Sequence, residues 1–379
     1  TVADRTYELS ALLDERILVL DGAMGTQVQA LGLDESATRG ERFADHTRDL
    51  RNFTDILCLT RPDDVTAIHR RYLEAGADIV ETNTFGASPA GIEEFDLPVE
   101  LIAEINQAAV DCARRAIDQL AVEANHRPRF VACSIGPTTK QTAISTKVED
   151  PGYRGATFAE MAASYGQQVA ALLEAGVDIL MPETVIDTLN LKACLFAIAQ
   201  YFEKHGVHVP VMISGTFDKG GATFVSGQEV EAFWNAIAHF PMFSVGMNCA
   251  LGPDLMRPHL ERLQQIAPKP ISCHPNAGLA NEMGAYDLSP GDMGCVMGEF
   301  AEAGWLNIVG GCCGTTPEHI AAIAAAVAPH KPHRAAEVPS RLRLSGTAPL
   351  TLHPDSHFLM ARERTNVTGS RMFARLIKE

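Results

Sequence analysis

The sequence predicts an α/β fold, a (β/α)8 (TIM) barrel, on three observations. Short apolar segments that read as strands buried on both faces alternate with longer helical stretches, the pattern of a parallel sheet covered by helices. One unit repeats: Glu74-Ala75-Gly76-Ala77-Asp78-Ile79-Val80-Glu81-Thr82 returns as Glu174-Ala175-Gly176-Val177-Asp178-Ile179-Leu180-Met181-Pro182-Glu183-Thr184, and more loosely as Ala301 to Gly310. In each copy a helix ends, Gly takes a left-handed cap position and an apolar strand follows. Finally, the unusual polar, glycine and sulfur residues all fall just after strands. In a barrel that is a single rim, where the active site of this fold is built.

Taken in order, strands are expected at Ile17–Leu20, Asp78–Thr82, Phe130–Ser134, Asp178–Glu183, Val209–Ser214, Ser244–Asn248, Pro270–His274 and Asn307–Gly310. Helices are expected between them, for example Pro62–Ala75, with proline at its start and acids in its first turn, and Phe158–Ala175. Eight such units in about 320 residues suit one barrel; a doubly wound open sheet is the alternative. The barrel is assigned to 1–327. Residues 328–356, with Pro329, Pro332, Pro339 and Pro349, are expected to be a linker that packs as neither helix nor strand. Residues 357–379 then read as the truncated start of a second domain: a strand-like Phe358-Leu359-Met360, a polar turn and a helix, too few residues for a core of their own.

Composition narrows the function. With 31 Lys+Arg against 47 Asp+Glu the net charge is −16, which repels nucleic acid and anionic membrane surfaces. No run of about 18 uncharged apolar residues marks a membrane span, and the charged first 16 residues do not suit a secretory signal. The nine cysteines are odd in number and scattered through apolar segments, which points to a reducing, cytoplasmic setting.

Cys312 and Cys313 are adjacent, with Gly310, Gly311 and Gly314 around them. Neighbours on a regular strand point to opposite faces, so both thiols converge only if the backbone leaves strand geometry, which flanking glycines permit. Cys249, at the end of an earlier strand, can supply a third sulfur. Three soft ligands suit zinc and leave a fourth position open for water or substrate. A strained disulfide or unrelated buried thiols are equally compatible with these residues alone. Cys273 and His274 are read as packing residues, and the other five cysteines as core.

Four segments, Asp21-Gly22-Ala23-Met24-Gly25-Thr26, Glu81-Thr82-Asn83-Thr84-Phe85, Asn248-Cys249-Ala250-Leu251-Gly252-Pro253 and Gly310-Gly311-Cys312-Cys313-Gly314-Thr315-Thr316-Pro317, resemble the homocysteine S-methyltransferase family from about Glu15 to Val327. Gly40-Glu41-Arg42-Phe43-Ala44-Asp45, Ile213-Ser214-Gly215-Thr216 and His274-Pro275-Asn276-Ala277-Gly278 are similar, within it, to the first module of the cobalamin-dependent methionine synthases. The tail Glu363-Arg364-Thr365-Asn366-Val367-Thr368-Gly369-Ser370 resembles the opening of their methyltetrahydrofolate-binding module.

The resemblance implies zinc held by Cys249, Cys312 and Cys313, with the sulfur of L-homocysteine in the fourth position. That sulfur would attack the methyl group of methylcobalamin, carried by a module outside this chain, to give methionine. It further implies Glu183 for the substrate ammonium, and the backbone N–H groups of Asp21, Gly22 and the loop that follows, helped by Thr84, are expected to hold its carboxylate. Ser134 is a further substrate-binding candidate, and Asn83, Asp187 and Asn248 read more as structure. The family's folate module usually has Gly where Arg362 stands, and Pro182 before Glu183 is unusual. S-methylmethionine or betaine as donor, and a zinc-stabilised barrel without turnover, are the competing readings.

Overall fold

The computed structural model describes residues 4–122, 127–281, 284–335, 337–359 and 368–378. Eight parallel strands form its centre: β1 (Leu18–Val19), β2 (Ile79–Thr82), β3 (Phe130–Ile135), β4 (Ile179–Pro182), β5 (Met212–Gly215), β6 (Ser244–Asn248), β7 (Ile271–His274) and β8 (Ile308–Val309). One sheet has the order β1-β8-β7-β6-β5 and another β2-β3-β4. Isolated parallel bridges join them at both edges, Leu20 to Ile79 at one and Leu180 to Val211 and Val185 to Gly215 at the other. The eight strands therefore follow one another in chain order around a (β/α)8 barrel-type ring. The predicted helices form as Pro62–Glu74 and Phe158–Ala175, and the three expected cap glycines, Gly76, Gly176 and Gly304, have φ of +111°, +90° and +74°. No described helix is long and apolar enough to cross a membrane.

The two-residue period of a strand sorts its side chains between interior and exterior. Leu18, Leu20, Ile79, Phe130, Ala132, Ile179, Met181, Met212 and Ile308 pack together inside the ring, with Leu9 and Leu13 of the first helix packed against them. Val19, Val80, Val131, Leu180, Ile213, Val245, Ile271 and Val309 belong instead to the larger core beneath the helices. Continued towards the strand ends, the same alternation puts Glu81, Ser134, Glu183, Asn248, His274 and Cys312 on the inward row. The lower rows are apolar and the last row is polar, which makes the rim the place where chemistry can occur.

The opposite end is closed by carboxylates. Asp78, fully buried just before β2, accepts from the Val19 N–H at 2.9 Å and pairs with Arg16 at 2.7 Å and Arg127 at 2.5 Å. Asp178, its counterpart in the repeated unit, accepts from Val131 N–H at 2.7 Å and pairs with Arg114 at 2.8 Å. The echo in the sequence is thus partly a repeated tie between neighbouring strands.

The structure corrects the expectation for the proline-rich segment. It contains an antiparallel hairpin, β9 (Arg343–Ser345) and β10 (Pro349–Thr351), laid on the helix Val230–Ile237. Thr347 O accepts from Glu229 N–H at 2.9 Å and Ser345 Oγ donates to Ala232 O at 2.6 Å. The prolines sit before, after or at the edge of this two-stranded ribbon, where no donor is missed. Phe358 and Leu359 are not in a strand, and Met360 to Val367, including Arg362, lie outside the described residues; a helix, Arg371–Lys378, does follow. Cys295, expected in the core, is exposed.

Replacing Asp78 by Ala leaves a buried N–H and two arginines without their shared partner, a loss of about 3 kcal/mol. Urea unfolding of D78A against the parent measures it; a change under about 1 kcal/mol would mean the tie contributes little.

Candidate metal centre and its carboxyl neighbours

At the rim the sulfur atoms of Cys249, Cys312 and Cys313 lie within 4.8 Å of one another, and all three residues are half-buried. The Cys249 and Cys313 sulfurs are 3.8 Å apart, far beyond a disulfide bond of about 2.05 Å. Cys312 and Cys313 are likewise free thiols, so the strained vicinal disulfide is not what this structure holds. A tetrahedral centre with metal–sulfur distances of about 2.3 Å sets its sulfurs about 3.8 Å apart, so the spacing fits a tetrahedral metal.

Backbone strain brings the sulfurs together. Cys249 and Ala250 both have left-handed φ, +64° and +60°, costing about 1–2 kcal/mol each for residues with a Cβ. Cys249 N–H is held by His274 O at 3.2 Å and Leu251 N–H returns to Cys249 O at 2.7 Å. On the β8 side, a Cβ on Gly310 would stand 2.8 Å from Asp21 O and 2.9 Å from Leu20 Cβ. Gly314 takes φ +81°. Cys312 N–H donates to Pro275 O at 2.8 Å, and Cys313 O accepts from Ala277 N–H at 2.9 Å. The loops after β1 and β8 are stitched by Thr315 Oγ, which accepts from Ala23 N–H at 3.1 Å, and by Thr26 Oγ, which accepts from Gly314 N–H at 2.9 Å.

Three thiols this close cannot all ionise unaided. Hydrogen bonds from Cys249, Cys312 and the Tyr286 hydroxyl bring Cys313 down to about 3. Cys312 is pushed well up by its neighbours Cys249 and Cys313 and by burial. Cys249, eased downward by Cys312 but pushed upward by Cys313 and burial, ends at about 12. Crowding thus opposes ionisation of the whole trio, and a divalent cation is what would let all three ionise.

Beside the sulfurs lies a second crowded group. Glu183 accepts from Ser134 Oγ through one carboxyl oxygen and from Asn248 Nδ2 at 3.2 Å through the other. Burial raises its carboxyl to about 7 despite the Ser134 donor. Glu81 and Glu183 line the same pocket. Burial first, then Glu183 and Asp21, hold the Glu81 carboxyl well above the usual range. Asp21 is buried, and desolvation raises its carboxyl well above its ordinary value. Its Oδ2 accepts from Glu81 N–H at 3.0 Å, while Oδ1 has no partner among the described residues. Asn248 links the two groups: Nδ2 lies 3.8 Å from Cys312 Sγ and Oδ1 accepts from Ser214 Oγ at 2.6 Å. The sulfurs and Glu81, Ser134 and Glu183 line one pocket of about 420 Å³.

Other expected site residues fall into place unevenly. Gly22 lines the pocket, packed so closely that a Cβ would meet Thr315 Oγ at 2.7 Å. Thr84 is fully buried and its hydroxyl donates to Ser134 O at 2.8 Å, which ties β2 to β3. Asn83 donates to Thr54 O at 2.7 Å. Asp187 accepts from the N–H groups of Thr142, Ala143 and Leu189 and is not part of the pocket. Pro182 stays in register opposite Ile135, whose carbonyl accepts from Glu183 N–H at 3.0 Å, so this strand end is intact. Cys273 points outward, 3.9 Å from the Met256 sulfur, as a packing residue. His274, also expected to pack, is buried but lines the pocket. Sequence reasoning assigned no role to Glu81 or Tyr286. The inward position of Glu81, two residues after Ile79, was the available signal; Tyr286 comes from an irregular loop and had none.

Glu183 stays protonated to about pH 7 in the fold and only to about 4.5 when unfolded. Between those values the unfolded chain binds fewer protons, so the metal-free fold loses stability as pH rises through that interval. E183Q, neutral throughout, flattens this part of the profile; urea midpoints at pH 5 and pH 7.5 for both proteins check it, and an unchanged slope would contradict it.

Residues 18–327 match the model of the homocysteine S-methyltransferase family. Among solved structures the chain is similar to the homocysteine methyltransferase MmuM from Escherichia coli. Its metallated form has 25% identity and a TM-score of 0.64, over 84% of this chain and 99% of that one. Its oxidized form has 23% identity and a TM-score of 0.65, over 84% and 98%. The chain belongs to the homocysteine S-methyltransferase family.

Proposed function

We propose that this chain binds zinc through Cys249, Cys312 and Cys313 and activates L-homocysteine for methyl transfer from methylcobalamin, giving methionine, as a module of a cobalamin-dependent methionine synthase. The observation that carries the reading is the trio of sulfurs, spaced for a tetrahedral metal and opening onto a pocket lined with carboxyl groups. A free alkyl thiol has a pKa of about 8.5 and is mostly protonated at neutral pH. Zinc, when bound, supplies the charge that keeps the substrate sulfur as a thiolate, and three thiolate ligands keep it electron-rich.

The chain's own residues do the rest. Glu183, braced by Ser134 and Asn248, accepts from the substrate ammonium. Gly22 and the first turn of the helix Met24–Ala30, with Asp21 below them, face the pocket and offer backbone N–H groups to the carboxylate. Thr84 acts at one remove by holding Ser134. Asn248 aligns the ammonium acceptor with the sulfur ligands, since the same amide reaches both.

The donor is read from the residues that resemble the methionine synthases, including the tail from Glu363 to Ser370. On this reading the barrel is 1–327, 328–356 connects, and 357–379 opens a methyltetrahydrofolate-binding domain. The cobalamin-binding and methyltetrahydrofolate-binding modules are its partners, in the cytoplasm.

Zinc stoichiometry and zinc X-ray absorption, with and without L-homocysteine, test the proposal. The expected result is one zinc per chain, with three sulfurs and one lighter ligand becoming four sulfurs when homocysteine is added. Absent zinc, or a closed site that homocysteine does not change, would overturn it. C313S and C249S are expected to weaken zinc binding by about 100-fold or more, while C273S retains full occupancy.

A further inference from the structure

Charge is distributed unevenly along this chain. Residues 1–327 carry 22 Lys+Arg against 43 Asp+Glu, whereas 328–379 carry 9 against 4. The basic run His330-Lys331-Pro332-His333-Arg334 follows the helix Pro317–Val327. It is fixed at His333, whose N–H donates to Leu306 O at 2.8 Å, whose carbonyl accepts from Asn307 Nδ2 at 2.9 Å and whose Nδ1 donates to Gly304 O at 2.7 Å. Leu306 and Asn307 lead into β8, so the run is pinned to the end of the ring opposite the sulfurs. Beside it opens a pocket of about 410 Å³ whose polar lining is Gln264, Glu302, His330, Lys331, His333 and Arg334.

Two observations there call for a ligand. The first is unpaired cations. Arginines elsewhere lie against carboxylates, as Arg16 does with Asp78 and Arg257 with Glu299. Lys331 and Arg334 have no ion pair among the described residues, although Glu302 lines the same pocket. The second is His333, only 9% exposed. A carbonyl can only accept, so Nδ1 carries the ring proton and Nε2 of the neutral ring is a bare acceptor. That nitrogen is buried and has no partner among the described residues. A simple anion would answer the cations and leave Nε2 idle, whereas an oxyanion that shares a proton with Nε2 answers both.

We infer that this pocket binds a phosphate group, free or on a small polyol. Its oxygens accept from Lys331 and from the fork of Arg334, which suits phosphate geometry. One proton is held between a phosphate oxygen and His333 Nε2. It arrives on the phosphate or is taken from solvent, and only hydrogen bonds are made. Gln264 and Glu302 remain for the hydroxyl groups of a carbon part. The site is separate from the sulfur trio and does not depend on how the trio is used.

Titration calorimetry on the full chain in phosphate-free buffer, with inorganic phosphate and with glycerol 2-phosphate, tests it. Saturable binding at one site per chain is expected, with a dissociation constant of about 1 mM or tighter. Tighter binding of glycerol 2-phosphate assigns the site to a phosphate monoester, and tighter binding of inorganic phosphate assigns it to the free ion. The double variant K331Q/R334Q, whose changes lie on exposed side chains, is expected to weaken binding by about 10- to 100-fold, the range for a hydrogen bond to a charged group. H333N, checked for folding by its unfolding midpoint, is expected to weaken it as well. C313S binds phosphate as the parent does, because the sulfurs are at the other end of the ring. Binding no tighter than that of chloride, binding that K331Q/R334Q leaves unchanged, or binding lost in C313S would rule the site out. A folded H333N that binds like the parent removes the shared proton and with it the inference; if H333N does not fold, the double variant decides.

Discussion

A strand buried on both faces has one freedom left, the two-residue alternation of its side chains, and most of this molecule follows from it. Each inward row must be filled from all eight strands at once. In the lower rows that means Leu18, Ile79, Phe130, Ile179, Met212 and Ile308, apolar and in contact. In the last row it means Glu81, Ser134, Glu183, Asn248, His274 and Cys312, which border the pocket or support it. Polar atoms are tolerable there because partners and a pocket exist; one row deeper they would be buried without either. The site sits at the rim for the same reason the interior is a core.

The last row creates an electrostatic problem that its neighbours do not solve. Three thiols and the carboxyl groups of Glu81 and Glu183 crowd into one pocket, with Asp21 buried beside Glu81 N–H and no lysine or arginine among the described residues that line it. Left to itself the protein responds by retaining protons: thiols at Cys249 and Cys312, raised carboxyls at Asp21, Glu81 and Glu183. Crowding of like groups is unfavourable for folding and persists where function uses it. Here it produces two cation-seeking positions side by side, one soft and one hard. A soft metal suits the sulfurs and an ammonium suits the oxygens. Asn248 lies between them, its Nδ2 donating to Glu183 at 3.2 Å and standing 3.8 Å from Cys312 Sγ.

The strain at Cys249 and Ala250 belongs to the same design. Leaving the strand in a left-handed turn costs free energy, and the turn is held by hydrogen bonds to the loop after β7 rather than by glycine. The loops after β1, β7 and β8 are in turn tied to one another through Thr26, Thr315, Pro275 and Ala277. These hydrogen bonds hold the loops that carry the sulfur trio in the protein itself, and a preformed site lowers the ordering cost of binding.

Much of this was legible in the residues. Strand and helix periodicities, the left-handed glycines after helices and the placement of Cys249, Cys312 and Cys313 just beyond strands are local properties, and local physics determines them. The sequence alone therefore determined the eight strand–helix units, the rim and the identity of the three sulfurs. Only the tertiary structure decided which rim residues touch. Glu81 N–H reaches Asp21, and Glu81 shares a pocket with Glu183, because strands β1 to β4 follow one another in the ring, and no local pattern records that proximity. Thr84 and Asp187 face partners that commit their polar atoms to structure, and Tyr286 reaches Cys313 from a loop without periodicity. The proline-rich segment pairs as a hairpin because the helix Val230–Ile237 offers it a surface, and Cys295 is exposed because its helix turns that position outward. Contacts between residues far apart in sequence depend on ring order and on which helix face is covered, and both are settled by packing the whole chain at once.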